Sequence, residues 1–410
     1  GSGKASASQI DLTALARLAG HLPLDAPLRQ MLRDYAPRGR LRDLTANWKG
    51  DAATPQTYAL KTGFEDLALN AQGNLPGFTG LCGNLEASEK GGNLSLLSSA
   101  SSIDLPGVFP KTSAEPHTRL NSLKAQARWT QAQEGLTVEL QKMEFAGPEA
   151  AGSAQGIYRY RGQGSGEIDL TAALTRADAR AVWRYMPKTV GDGSRRWLRS
   201  SLISGRASEA KLTLKGNLDD FPFLDQSKGR FLVTVKAQDV VIDYAKGWPR
   251  IDGVHGDIRF EGLGMVVDAH QGSIFNTKIS KTRVEIPDFE IDVPILLVDG
   301  QVDGPTAEFL KFIDRSPVAR RIDNFTEDML ASGSGHLDLK LKIPLDEAKI
   351  DESTVDGTYR FKNNEVTVDT ALPPLRQVNG SIRFSGNDLE VPEITASLFG
   401  GPLKIRGGLQ

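Results

Sequence analysis

One pattern recurs three times and constrains this chain more than any other feature: a proline, then apolar residues two and five positions on, a glycine at the seventh and another apolar residue at the ninth. The copies are Pro76, Phe78, Leu81, Gly83, Leu85; Pro249, Ile251, Val254, Gly256, Ile258; and Pro373, Leu375, Val378, Gly380, Ile382. Some forty residues upstream of each copy stands a glycine, Gly39, Gly205 or Gly333, read as closing an amphipathic helical block. Further upstream a proline, Pro23, Pro187 or Pro317, separates two short helical patterns. Three landmarks in one order, three times over, describe a large supersecondary unit repeated along the chain.

Within the pattern, the proline lacks an amide donor and suits the start of a strand, and the glycine suits a bulge or a close backbone approach. Apolar residues two before and two after the glycine leave a strand on the same side. Each copy therefore predicts a strand with one apolar and one wet face. The composition agrees: 42 glycines and 39% apolar residues with 24% charged fit a β-rich globular chain. With about six strands against two short helices per unit, either an open, curved antiparallel β-groove or tandem β-sandwiches would satisfy the pattern.

Residues 1–8 are small and polar and read as tag and linker, with Gly1-Ser2-Gly3 as a tag remnant, which would make the chain a fragment of something longer. The first repeat is expected over 9–174, with a helical pair at 9–38 and an inserted β region at 118–174; Lys111–His117 reads as an internal linker. The second repeat spans 175–303, its helical pair at 175–204 opening on the capping residues Thr175-Arg176-Ala177-Asp178. The third spans 304–410, its helical pair at 304–332 including Ser316 as N-cap before Pro317 and a stripe of Val318, Ile322, Phe325 and Met329. His336–Ile343 then gives the clearest strand alternation in the chain.

Signals for chemistry are sparse. The five histidines, His21, His117, His255, His270 and His336, lack metal-ligand spacing, and the single Cys82 excludes an internal disulfide framework and reads as a small apolar residue packed in a sheet. Gly162–Gly166 precedes strand-like rather than helical text and is read as a turn; Asp219-Asp220 reads as a solvated turn; neither a Walker loop nor a nucleophile elbow occurs. No cofactor is expected. The net charge of -2 gives no reason to expect nucleic acid, although Arg176–Arg206 carries eight basic residues against two acidic ones, read as a solvated helix face rather than a headgroup site. No run approaches the roughly 18 apolar residues of a membrane-spanning helix.

Taken together, Tyr35-Ala36-Pro37-Arg38-Gly39-Arg40-Leu41, Phe64-Glu65-Asp66-Leu67, Leu75–Leu81, Trp248-Pro249 with Gly256-Asp257-Ile258, and the helical segments Trp183–Pro187 and Arg196-Trp197-Leu198 make the chain resemble the AsmA-like YhdP family of Gram-negative envelope proteins. The resemblance runs through the chain after residue 8. It implies an elongated, twisted antiparallel β-groove with an apolar interior and short helices, in a periplasmic protein anchored to the inner membrane and carrying phospholipid to the outer membrane. An anchor segment is not seen here, so the chain would be an interior portion.

The expected function is thus a non-catalytic lipid conduit segment. The groove-lining candidates are Leu67, Leu69, Leu81, Leu85, Leu212, Leu214, Val233, Val235, Val240, Ile242, Val254, Ile258, Phe260, Leu339, Leu341, Phe361, Val378, Ile382 and Phe384. Expected partners are phospholipid, neighbouring segments of the longer chain and envelope proteins, with fragments pairing end to end or as dimers through open sheet edges. A structural or interaction scaffold with sealed sandwich cores is the alternative. A glycan-directed β-sandwich enzyme would need carboxylates clustered beside aromatic platforms, and the aromatics here are scattered.

Overall fold

The computed structural model describes residues 1–18, 26–51, 54–110, 118–386 and 388–409. Twenty-two strands belong to one open antiparallel sheet, with a few short helices. The expected open, mainly β architecture is therefore present, and tandem sandwiches are not. The chain divides into two compact units, one of Gly1–Arg196 and Glu209–Leu232, the other of Trp197–Ser208 and Val233–Gln410.

In the first unit, β1 (Ser2–Asp11) leads into helices α1 (Leu12–Leu18) and α2 (Ala26–Tyr35), then β2 (Arg38–Gly50), β3 (Pro55–Leu69) and β4 (Gly77–Ser88). There follow β5 (Gly91–Ser98), β6 (Ser101–Asp104), β7 (Thr118–Leu120), β8 (Ser122–Ala132), β9 (Gly135–Ala146), β10 (Ala150–Tyr160) and β11 (Glu167–Asp178). Strands β1 to β4 pair in sequence; β4 then pairs with both β5 and β6, which pair in turn with β8 and β7, and the ladder continues through β9, β10 and β11. The expected inserted β region is thus a run of further strands in the same sheet. Beyond β11 come a 3-10 turn (Ala179–Tyr185), α3 (Asp192–Ser201), β12 (Leu202–Asn217) and β13 (Gly229–Ile242).

The second unit continues with β14 (Ile251–Glu261), β15 (Gly264–Ile274), β16 (Thr277–Ile286), β17 (Ile295–Pro305), α4 (Thr306–Asp314), α5 (Val318–Arg321), β18 (Leu330–Pro344), β19 (Thr354–Thr367), β20 (Leu375–Ser385), β21 (Asp388–Leu398) and β22 (Gly401–Leu409). From β14 to β22 every strand pairs antiparallel with the next.

Several expectations change. Residues 2–8, read as tag and linker, are strand: Ser2 to Asp11 pair with Lys49 to Arg40 along β2. The small side chains that looked unstructured are what lets Trp48 lie across this strand, as described below. The helical pair expected at 304–332, seen as α4 and α5, does not interrupt the sheet. It sits inside the connection between β17 and β18, whose ladder runs unbroken from Ile295 opposite Pro344 to Pro305 opposite Ser334. The block after β1 stands in the same way between β1 and its partner β2. Thr175–Asp178 does not start a helix; β11 runs through Asp178, whose carboxylate accepts the Arg180 amide at the head of a 3-10 turn. The stripe expected from Val318 to Met329 is helical only to Arg321, and Ser316 Oγ caps its first turn by accepting the Val318 amide at 3.3 Å. Pro23 and the Lys111–His117 linker, with His21 and His117, lie outside the described residues.

The recurring glycines also have a different task. Gly39, Gly205 and Gly333 sit within β2, β12 and β18, at φ of 104°, 127° and 92°, rather than closing helices. Each faces an irregularity in the strand that follows, where Asp66, Asp239 and Asn363 take φ of 51°, 53° and 51°. A Cβ on Gly39 would fall 2.5 Å from the Asp66 carbonyl oxygen, and one on Gly333 would fall 2.9 Å from that of Asn363. The motif strands β4, β14 and β20 supply the third layer of this node. Their left-handed residue is Gly80, Gly253 or Gln377, three before the motif glycine. The motif glycine itself admits close approach: a Cβ on Gly83, Gly256 or Gly380 would lie 2.0, 2.7 or 2.2 Å from a carbonyl oxygen of the next strand. The residue before it reaches back to the irregularity. Cys82 Sγ accepts from the Asp66 amide at 3.5 Å, Asn379 Oδ1 from the Asn363 amide at 2.9 Å, and His255 Nε2 lies 3.0 Å from Asp239 Oδ1. Cys82 is therefore a hydrogen-bonding member of this node and not only an apolar filler.

Candidate functional site

Residues directly opposite one another in an antiparallel ladder share a face, so the register shows which side chains form a surface together. In the first unit one such row is Thr62, Leu85, Leu94, Ala127, Leu140, Gly156 and Leu170. The parallel row is Leu60, Ala87, Gly92, Trp129, Val138, Tyr158 and Ile168. In the second unit Ile258, Val267, Val284, Val298, Leu341 and Val355 form one row, and Val302, Leu337, Tyr359 and Ile382 another. Each unit thus has an apolar face that continues from strand to strand.

All nineteen lining candidates lie on strands: three, Leu81, Val240 and Val378, are buried, and the other sixteen are half-buried. Leu67, Leu81 and Leu85 pack with Phe64 and Leu123 in the first unit, with Leu69 opposite Phe78 at its border. Ile258, Phe260, Leu339, Leu341, Phe361, Ile382 and Phe384 fall on the apolar rows of the second unit, where Val378 centres a cluster with Phe361, Ile382 and Leu375. Val254 borders Gly272, and Val240 packs over Gly205. Leu212 and Leu214 are on β12, Val233, Val235 and Ile242 on β13.

Many residues of the same rows were not singled out from sequence, among them Trp129, Met265, Val267, Val284, Leu296 and Tyr359. For Trp129 a usable signal existed in the glycine opposite it, and a glycine beneath a ring recurs elsewhere in the sheet. Gly3 lies under Trp48, Gly92 under Trp129, Gly335 under Tyr359 and Gly357 under Phe384; a Cβ on these glycines would come within 2.0 to 2.4 Å of the ring or its hydroxyl. Each ring lies down along the sheet over its glycine neighbour, so the apolar face is smooth instead of being filled by upright rings.

The opposite face is charged. Lys61 pairs with Glu86 at 2.6 Å, Arg42 with Glu65 at 3.1 Å, Arg283 with Asp268 at 3.1 Å and Lys340 with Asp299 at 3.8 Å, all solvated to a third or more of their side chains and each worth little to stability. His255, His270 and His336 are on this face with carboxylate partners. Asp303, 2.7 Å from its Nδ1, and Asp338 hold the His336 imidazole above its ordinary pKa, while Arg360 holds Asp338 below the usual carboxylate range. Most of the basic run at 176–206 is also engaged, including Arg184 with Glu149 at 2.6 Å and Arg206 with Asp239 at 3.3 Å. Among the described residues no His, Cys, Asp and Glu group could hold a metal ion, and no helix is long and apolar enough to cross a membrane.

Helix α4 lies on the apolar side of the second unit. Phe309 meets Tyr359 edge-on at 5.0 Å, Tyr359 meets Phe361 at 4.9 Å, and Phe312 approaches Trp248 at 6.0 Å. A buried polar knot fixes its start: Thr306 Oγ1 donates to Asn364 Oδ1, Tyr359 Oη donates to Thr306 Oγ1 at 2.8 Å, and Asn364 Nδ2 donates to the Ser334 carbonyl at 2.7 Å. Burial pushes the Tyr359 hydroxyl up to about 12, so it stays a donor.

Apolar rows laid along ordered strands, with ion pairs along the other side, can solvate hydrocarbon. Comparison with known proteins follows the same line. The intermembrane phospholipid transporter YhdP of Escherichia coli (strain K12) is 23% identical over 398 residues, which are 95% of this chain and 30% of that protein, so the chain spans less than a third of its relative. No solved structure matches the chain. The YhdP protein family matches residues 1–408, and the chain belongs to that family.

Proposed function

We propose that this chain is a segment of a phospholipid conduit, in which the apolar sheet face shelters acyl chains while headgroups stay in water. The observation that carries this reading is the strand-to-strand continuity of the apolar rows in each unit. A sixteen-carbon chain loses about 12 kcal/mol of burial on leaving a membrane, at about 0.8 kcal/mol per methylene. One pocket would replace that for one molecule at one place. Repeated rows of similar depth replace it at successive places, so a chain can pass along without entering water. The relative named as an intermembrane phospholipid transporter supports phospholipid as the cargo. We assign the work to the periplasm, in a longer protein held at the inner membrane, and give no residue a catalytic role.

Mild purification followed by lipid mass spectrometry tests the reading. Phospholipid is expected to co-purify with the wild-type chain and to be lost from an Ile258→Asp, Leu341→Asp variant that keeps its circular dichroism spectrum. A wild-type chain free of phospholipid would sink the proposal. In the longer protein, Val235→Asp or Ile258→Asp is expected to block lipid transport without loss of the protein.

A further inference from the structure

The connection from β17 to β18 is longer than the ladder requires. Pro305 faces Ser334, so a short turn would join the two strands there; the chain instead runs through α4, α5 and further turns before it returns.

The two ends of this block are held very differently. At its base Thr306 and Asn364 are buried, and their hydrogen bonds with Tyr359 and Ser334 fix the start of α4 to β18 and β19. Asn276 Nδ2 donates to Glu308 at 2.9 Å, and Lys311 Nζ lies 4.2 Å above the Phe275 ring, so the β15–β16 turn supports the same helix. At the end of α5, Arg321 reaches Asp351 at 3.8 Å, in the connection from β18 to β19. That connection is at the other end of the β18–β19 hairpin, where Lys342 faces Thr354. From Thr354 to Asn364 the strand extends roughly 30 Å, at about 3.3 Å per residue. The block therefore lies lengthwise along the strands, across the direction in which the apolar rows pass from strand to strand.

Under it, Phe309 meets Tyr359 and Phe312 approaches Trp248. Tyr359 belongs to the row of Val302, Leu337 and Ile382. Thr326 Oγ1 donates to Asp314 at 3.1 Å and ties the returning chain to the end of α4, which makes the block one piece. The far contact is weak by comparison. The Asp351 side chain is 97% exposed, and an ion pair so solvated holds little. Phe325, just beyond α5, is 67% exposed and adds no apolar seal there.

We propose that α4–α5 is a gate on the apolar face of the second unit, based on the Thr306–Asn364 knot and latched by Arg321–Asp351, and that acyl chains compete with Phe309 and Phe312 for the same rings. This rests on the conduit reading and adds regulation to it. In the closed form the two phenylalanines stand in for hydrocarbon on Tyr359 and Trp248. When the latch parts, the block lifts from its far end and those rings become available to lipid. The linkage is reciprocal: whatever holds the block down weakens lipid binding, and bound lipid keeps the block up. A clamp that closes over its cargo would do the opposite.

The test joins the latch covalently. In a Cys82→Ser chain carrying Arg321→Cys and Asp351→Cys, a short bismaleimide links the two thiols after folding, and the unlinked protein is the control. Opening is followed without lipid by hydrogen exchange, and uptake by transfer of an NBD-acyl phosphatidylethanolamine from phosphatidylcholine vesicles. The link is expected to slow exchange of the α4 amides and to lower uptake by about tenfold or more. Asp351→Arg, a change at an exposed site, should raise both by about two- to fivefold, and Phe312→Ala, which removes the contact with Trp248, by more. In the wild-type chain the probe should speed exchange in α4. Exchange of α4 that is alike in linked and unlinked chains, equal uptake by the two, or protection of α4 by the probe would each overturn the gate while leaving the conduit reading in place. A chain that takes up no probe in any form, Phe312→Ala included, would sink the conduit reading and the gate together.

Discussion

Filling the space beneath a ring tests the apolar face more sharply than removing the ring. Gly357→Val would place a Cβ about 2 Å from the Phe384 ring and force it upright. The expected cost is about 1–3 kcal/mol, read as a lower urea midpoint, together with less co-purified lipid. Asn364 is the polar counterpart, only 1% exposed and tied to Thr306 and Ser334. Asn364→Ala leaves the Ser334 carbonyl without its donor and should lower stability by about 1–3 kcal/mol in the same measurement. The two residues differ in how far sequence reveals them. Phe384 and Phe361 stand at alternating positions and were readable as lining candidates, though which ring would lie over which glycine depends on register between strands. Asn364 follows another asparagine in polar text and carries no local signal of burial; Thr306, which donates to it, is 58 residues away.

At the level of elements, the charged face of β17, β18 and β19 makes a pH prediction. His336 has its folded pKa raised by Asp303 and Asp338, with Arg360 on the adjoining strand engaging Asp338. A raised pKa means that protonated His336 stabilises the fold fully below its ordinary value of 6.5, and that this contribution disappears as pH rises through the higher folded value. The melting temperature of the wild-type chain should therefore fall across that rise by more than that of His336→Gln, measured by differential scanning calorimetry; parallel curves would refute the assignment. The alternation of His336–Ile343 exposed this strand in the sequence, and the polar side chains of β17 and β19 gave no hint that they met there. Helix-closing glycine was the opposite error. Gly39, Gly205 and Gly333 were visible landmarks, but their reason is a close approach to Asp66, Val240 and Asn363 on the next strand, which local patterning does not contain.

Across the whole molecule, the threefold recurrence was legible because the node it marks is built from residues with few substitutes: left-handed positions and close backbone approaches. The boundaries 174/175 and 303/304 remain our working divisions, and the pairing suggests starting each unit one strand earlier, with β1, β11 and β17, since each of these feeds a helical segment. Residues 1–8 escaped the sequence reading because small polar side chains look alike in a linker and beneath a tryptophan. Because the β17–β18 ladder reaches Pro305 and Ser334 on either side of the helices, the segment between them is a long hairpin loop in ladder terms. Evolution could then lengthen, shorten or exchange such a loop without renumbering a single cross-strand pair, so the covering of the apolar face could change while the register beneath it stays fixed.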